Sequence, residues 1–182
     1  GYVYNESVHR EAQRNEYIQA VAEDNVGSTE MRVAMVMGAF YESSYKHIGE
    51  PYIDKLGKGQ PLTVCNGITG DGVFLRYYTP TDCHRLERAH YLKSEAAAKR
   101  LLRFWEGYNI WQRATFIDFI HNKGEGAFAS STMRRKANAG DIVGACRENP
   151  RWNRGTVDGV SMAMPGLTIR ANANAELCEG GL

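Results

Sequence analysis

The apolar positions change their spacing several times along the chain, and each change marks a predicted element. Between about Glu6 and Glu23 a polar stretch carries Val8, Ala12, Tyr17, Ile18 and Val21 as a broken apolar stripe, which predicts an exposed or loosely docked helix. Asp24-Asn25-Val26-Gly27-Ser28 supplies turn residues, and Ser28 is placed to cap a second helix from Thr29 to about Glu42. That helix is apolar almost all round, so burial in the core is expected. From Ser43 to Tyr78 the texture shifts to Gly, Tyr, Thr and short β-branched pieces. Strands are predicted near Pro51–Asp54, Leu62–Cys65 and Val73–Tyr77, as the only sheet of the molecule.

Helical spacing returns at Thr81 and runs to about Trp105 through Leu86, Ala89, Leu92, Ala96, Leu101 and Leu102, with a break expected near Ser94. Asn109 followed by Gln112 has the form of a capping box for a helix ending around His121. Shorter helices are predicted at about Thr132–Ala137, Ile142–Arg147 and Leu167–Cys178, the first two capped by Ser131 and Asp141. Gly155 to Gly166 reads as a loop, and no repeat or low-complexity tract interrupts the pattern. The elements sum to an α+β fold: a small sheet lobe flanked by helices that hold most of the mass.

Composition narrows this picture more by exclusion than by assignment. At 182 residues, with 43% hydrophobic residues, the chain has the size and apolar content of one domain with a core. Lys+Arg of 22 against Asp+Glu of 21 leaves a formal charge of +1, too small a field to point to nucleic acid as a partner. The longest apolar run, Met31 to Tyr41, falls short of the roughly 20 residues that cross a bilayer. The chain starts at Gly1 rather than methionine, the form expected of a trimmed or engineered product, in which any signal or anchor segment upstream would be lost from view. Cys65, Cys83, Cys146 and Cys178 lack the close pairs of a zinc site, so no metal is expected. Their even number suits an oxidising compartment, and Cys65–Cys83 with Cys146–Cys178 closes the shortest loops of the three possible pairings. Four buried thiols remain the alternative.

Candidate chemistry gathers where the second helix meets the sheet. Glu42 stands at that junction, where a carboxyl partly shielded from water could keep its proton near neutral pH and serve as a general acid. Asp54 ends the first strand and Thr63 lies near the start of the second, so a hairpin could set both opposite Glu42. A second carboxylate would stabilise positive charge or direct water, and a hydroxyl would hold that water. Each also has an ordinary reading: a solvated helix-end glutamate, a turn aspartate and a strand threonine. Glu50 is the rival acid, but four residues before Asp54 it lies on the same strand or turn.

Three segments together resemble the phage lysozymes of glycoside hydrolase family 24. Tyr41-Glu42, then Pro51 to Gly57 with Tyr52-Ile53-Asp54, then Leu62-Thr63-Val64-Cys65-Asn66-Gly67-Ile68-Thr69, is similar to the family's Glu…Tyr-x-Asp…Gly…Thr-x-Cys-x-Gly-x-Thr pattern. Phe116 to Gly124, Gly126-Ala127-Phe128 and Ser130-Ser131-Thr132 resemble its helix ending in Asn-x-Gly and the start of the next helix. Asn138 to Trp152, Pro165 to Arg170 and Glu176-Leu177-Cys178 resemble its C-terminal lobe. Two features depart. Glu42 to Asp54 is 54 − 42 = 12 positions and Asp54 to Thr63 is 63 − 54 = 9, both longer than the compact family spacing, and Ile68 stands where many members carry His.

The resemblance implies a lysozyme-like fold, with residues 1–28 as an N-terminal helical segment and 29–182 as the catalytic domain, its two lobes joined by a long helix with glycan bound between them. It implies hydrolysis of the β-1,4 bond between N-acetylmuramic acid and N-acetylglucosamine in bacterial peptidoglycan, as an endolysin acts in host lysis, with Glu42, Asp54 and Thr63 as catalytic residues. Asn122 and Arg170 would bind substrate, although an Asn after a helix also serves as a C-cap and an Arg can simply pack along its stem. A monomer without a cofactor, exported to the periplasm, is expected. The rivals are a lytic transglycosylase and a non-catalytic wall-binding domain, the latter using Arg134, Arg135, Lys136, Arg147, Arg151 and Arg154 against anionic polymers. Carboxyls about 6.5–9.5 Å apart would indicate inversion, and about 5–5.5 Å retention.

Overall fold

A computed structural model describes residues 6–43, 46–55, 59–70, 72–149, 154–157, 160–163, 172 and 174–180, with the backbone alone at 154–157 and 160–163. The chain divides into two compact units, residues 1–27 with 35–89 and residues 28–34 with 90–182. Two helices, α2 (Thr29–Ser43) and α3 (Pro80–Leu101), run from one unit into the other.

The first unit contains α1 (Glu6–Ala22), most of α2, a three-stranded antiparallel sheet and the start of α3. On α1 only Tyr17 and Val21 of the expected stripe are fully buried, and Val8 is exposed. Asp24, just past the helix, is fixed to α3 by an ion pair with Arg88 at 3.3 Å and by His84 Nε2, 2.8 Å from its carboxyl. Burial opposes its charge, but the Val26 N–H, Arg88 and His84 together hold its carboxyl below the usual range. The α2 helix begins with Ser28 accepting from the Met31 N–H at 3.1 Å. Met31, Ala34, Met35, Gly38 and Ala39 form its buried face while Phe40 and Glu42 are exposed, so the expected burial on all sides gives way to a one-sided stripe.

The sheet order is β1 (Tyr52–Ile53), β2 (Leu62–Val64), β3 (Ile68–Thr69), with Tyr52 opposite Thr63 and Thr63 opposite Thr69. The strand expected over 73–77 does not form: that segment bends, exposing Phe74, Leu75 and Tyr77, and the third strand lies earlier, at 68–69. Val64, Cys65, Ile68, Tyr78 and Cys83 make the core beneath the sheet, with Val73 and Leu86 packed against it. Ile68 belongs to this core, which accounts for an apolar residue at the position where a histidine was anticipated.

The second unit is almost entirely helical. The α3 helix continues to Leu101 without the expected break, and Ser94 within it turns its hydroxyl back to the His90 carbonyl. After a 3-10 turn at Trp105–Gly107, α4 (Ile110–Lys123) starts with the full capping box between Asn109 and Gln112 and buries Phe116, Ile117, Phe119 and Ile120. Gly124, at φ 99°, ends it and opens a short helix not anticipated from the sequence, α5 (Glu125–Ala129). Phe128 there packs on Phe116 and Phe119. Ser131 and Asp141 cap α6 (Thr132–Asn138) and α7 (Ile142–Arg147) as expected. Where a loop was expected, β4 (Arg154–Val157) and β5 (Val160–Ala163) pair as antiparallel strands, so the first sheet is not the only one. Residues 174–179 are helical, within the helix expected toward Cys178.

Each unit carries one disulfide, Cys65–Cys83 in the first and Cys146–Cys178 in the second, and all four sulfurs are buried. The loops they close span 18 and 32 positions, for which chain entropy predicts roughly 3 to 4 kcal/mol of stabilisation each. Reduction with a phosphine under otherwise native conditions is therefore expected to lower the melting temperature by on the order of 10 °C or more. An unchanged melting curve with four free thiols would contradict it.

Candidate active site

The first unit gathers Glu42, Asp54 and Thr63. Glu42 sits in the last turn of α2 and is exposed, unlike the shielded carboxyl expected at this junction. Its neighbour is the turn between β2 and β3. Cys65 and Gly67 there both have positive φ, 59° and 79°, and a Cβ added at Gly67 would stand 3.4 Å from Glu42 Oε2. Glycine at 67 thus meets two demands, a left-handed backbone and a carboxyl directly beside it.

Asp54 follows β1, its N–H donating to the Pro61 carbonyl at 3.0 Å and so extending the β1–β2 pairing by one residue. Thr63, opposite Tyr52, is buried, and its hydroxyl donates to the same Pro61 carbonyl at 3.2 Å. Tyr52 stands opposite Thr63 and two residues before Asp54. Burial, then the charge of Asp54, then that of Glu42 push its phenol above the ordinary tyrosine range. Both candidate carboxylates therefore act on one hydroxyl. Glu50 is exposed and precedes β1, while Asp54 follows it, so the two flank the same short strand.

Behind Glu42 lies a group that sequence reasoning missed. Glu87, on α3, is fully buried and accepts from the Tyr17 hydroxyl at 2.8 Å and from Asn66 Nδ2 at 2.9 and 3.1 Å. The Asn66 backbone N–H is a further donor. Asn66 Oδ1 in turn accepts from the Ser43 hydroxyl at 2.7 Å, and Ser43 adjoins Glu42. Burial outweighs the donors and pushes the Glu87 carboxyl up to about 7. In sequence Glu87 is one more polar residue of a charged helix; its only signal is a position one helical turn after Cys83. Among the described residues, Cys65, Cys83 and Glu87 form the one cluster with metal-ligand spacing, but both sulfurs are committed to the disulfide and offer no thiolate.

The substrate-binding candidates fall elsewhere. Asn122 is half-buried within the last turn of α4 in the second unit, inside the helix rather than after it, while Gly124 takes the C-cap. Arg170 lies outside the described residues. The basic run is occupied internally. Arg134 donates to the carbonyls of Leu101 and Ala129, Arg135 to Ser130 O and Thr132 Oγ1, Lys136 pairs with Glu148, and Arg147 with Glu179. Those cations serve helix ends and local ion pairs, which removes the main support for a wall-binding face. Of the remaining two, Arg151 lies outside the described residues and Arg154 belongs to β4.

Comparison with known proteins decides the family. The phage lysozyme family model matches residues 41–174. The chain belongs to the phage lysozyme family. The SAR-endolysin of Enterobacteria phage PA-2 is 34% identical over 134 residues, covering 72% of this chain and 74% of that protein. The SAR-endolysin of Escherichia phage Mu is 37% identical over 102 residues, 56% of this chain, and the match spans only 57% of the Mu protein. The active form of the P1 phage endolysin Lyz has the same fold, with a TM-score of 0.73 at 16% identity, over 92% of this chain and 94% of that one. This phage lysozyme is therefore an α+β, lysozyme-like glycoside hydrolase of the class that degrades peptidoglycan. Among its described residues no helix is long and apolar enough to cross a membrane.

Two outcomes follow for this site. Because Glu87 is held near 7 in the folded protein against 4.5 ordinarily, folding retains a proton that unfolding releases between those values. Its contribution to stability is thus complete below about 4.5 and lost as pH rises through about 7. The melting temperature of wild type relative to Glu87→Gln should accordingly fall between pH 4 and pH 8; a flat difference would refute the assignment. Gly67→Ala is expected to cost about 1–2 kcal/mol from its left-handed backbone alone, measurable by denaturant unfolding.

Proposed function

We propose that this lysozyme hydrolyses the β-1,4 bond between N-acetylmuramic acid and N-acetylglucosamine, with Glu42 protonating the bridging oxygen, Asp54 stabilising the positive charge or directing water, and Thr63 helping to hold that water. The observation that carries the reading is the family match, which begins at Tyr41, beside Glu42, in a chain whose β1–β2 register sets Thr63 opposite Tyr52, two residues before Asp54. Exposure of Glu42 leaves its carboxyl accessible to a sugar, and a glycan laid over it would expel water and favour the proton-bearing form. Thr63 acts in this scheme as an acceptor, since its own proton is directed to Pro61. Asn122 and Arg170 are retained as substrate contacts.

The active form is a monomer that works in the periplasm. Two disulfides support export, because such bonds persist in oxidising compartments and are rare in the cytosol. Light scattering and thiol counting on periplasmic material test these two statements.

The reaction is tested on purified cell walls with wild type, Glu42→Gln and Asp54→Asn side by side. Loss of a general acid is worth roughly 10²–10⁴ in rate, so Glu42→Gln should lose at least about a hundredfold while keeping the wild-type melting temperature. Products formed in ¹⁸O-water should carry the label at a reducing end. A 1,6-anhydro end would instead establish a lytic transglycosylase, and undiminished lysis by Glu42→Gln would overturn the assignment of the acid.

A further inference from the structure

The chain of hydrogen bonds behind Glu42 links four parts of the first unit that are distant in sequence. Tyr17 on α1 donates to Glu87 on α3, Asn66 of the β2–β3 turn donates to both Glu87 oxygens, and Ser43 at the end of α2 donates to Asn66. Glu87 and Asn66 are both buried. One helical turn before Glu87, Cys83 bonds covalently to Cys65, the residue preceding Asn66, and the two sulfurs and a carboxyl oxygen of Glu87 lie within 4.8 Å of one another. The turn is thus held at adjacent residues from the same face of α3, at one by a disulfide and at the next by a carboxyl.

What this grip controls is the surface against which the Glu42 carboxyl rests. Gly67 follows Asn66 directly, and its α-carbon presents the face that a side chain would fill at 3.4 Å from Glu42 Oε2. Ser43, the last link, follows Glu42 and also approaches the Ala39 carbonyl at 3.0 Å, so its single proton is shared between its own helix and Asn66. We propose that Glu87 is a positioning residue for Glu42: through Asn66 and Ser43 it sets the β2–β3 turn and the last turn of α2 against each other, and so fixes where the Glu42 carboxyl points. This rests on Glu42 being the catalytic acid. The ionisable and polar groups that face Glu87 are Tyr17 from α1, Asn66 from the turn and, by its field, Glu42 from α2. An apolar residue at 87 would fill the space but leave the Tyr17 hydroxyl and the Asn66 donors without their acceptor. Glutamine keeps an acceptor for Tyr17, and Asn66 can turn its amide over because the Ser43 hydroxyl both donates and accepts.

The test compares Glu87→Met, Glu87→Gln and Ser43→Ala with wild type and Glu42→Gln, using wall turnover and carbon-detected titration of the Glu42 carboxyl. For Glu87→Met, kcat should fall about tenfold with KM within about twofold, and the Glu42 titration midpoint should move. Glu87→Gln should return to within about threefold of wild type. Should Glu87→Met fail to fold, Ser43→Ala, which cuts the chain at its half-buried end, should still lower kcat and displace the Glu42 titration. Folded variants with wild-type kcat and an unmoved Glu42 titration overturn the proposal. Activity surviving in Glu42→Gln would instead remove the acid assignment, while a displaced Glu42 titration in the Glu87 variants would still report the positioning.

Discussion

A carboxyl buried in the smaller unit, with only hydrogen bonds to compensate it, constrains nearly everything around it. Glu87 has no access to water, so its oxygens must find donors within the protein, and those donors come from the N-terminal helix and the β2–β3 turn. A sheet whose strands are two or three residues long contributes too few backbone bonds to hold its own turns. The Cys65–Cys83 bond and the Glu87 carboxyl make up for that shortage at neighbouring residues of one turn. Without them the backbone at Cys65 and Gly67, both at positive φ, would have little reason to keep its conformation beside Glu42.

The second unit is organised by different physics. Its helices bury Phe116, Ile117, Phe119, Ile120, Phe128 and Met133, and their ends are finished by Asn109, Ser131 and Asp141 as caps. Its buried polar groups also join elements distant in sequence, as Ser28 does with Glu95 and Arg113 with Glu30. Asp118 is buried and accepts from Asn174 at 2.8 Å, which together with Cys146–Cys178 fastens the C-terminal helical residues to α4 and α7. The basic side chains of α6 donate to carbonyls of neighbouring helix ends.

Membership of the phage lysozyme family and the geometry around Tyr52 bear on different levels of the chemistry. The family gives the reaction class. The geometry concerns particular atoms: an exposed glutamate resting on a glycine, an aspartate extending a hairpin, and a buried threonine whose proton is already engaged. The longer intervals fall between α2 and β1 and between β1 and β2, and across the second Tyr52 still meets Thr63 in register. Ile68 replaces a polar supporting residue by adding to the apolar floor under the sheet, so support for the turn passes to Asn66 and Glu87.

Local rules were enough for much of this molecule. The helix starts at Ser28, Asn109, Ser131 and Asp141 were legible because a cap and its partner are three residues apart, and the shortest-loop cysteine pairing agrees with both disulfides. The motif residues 42, 54 and 63 stood out because their chemical types recur in one order. Where partners are distant in sequence, the pattern was silent or misleading. The segment 73–77 has strand-like composition yet no strand beside it to pair with, and residues 154–157 and 160–163 look like loop until they pair with each other. Whether Glu42 is shielded or exposed, and which residue supports it, depends on Tyr17, Ser43, Asn66 and Glu87 meeting across as many as 70 positions. Burial and hydrogen-bond satisfaction are properties of that meeting, so only the tertiary structure could decide them.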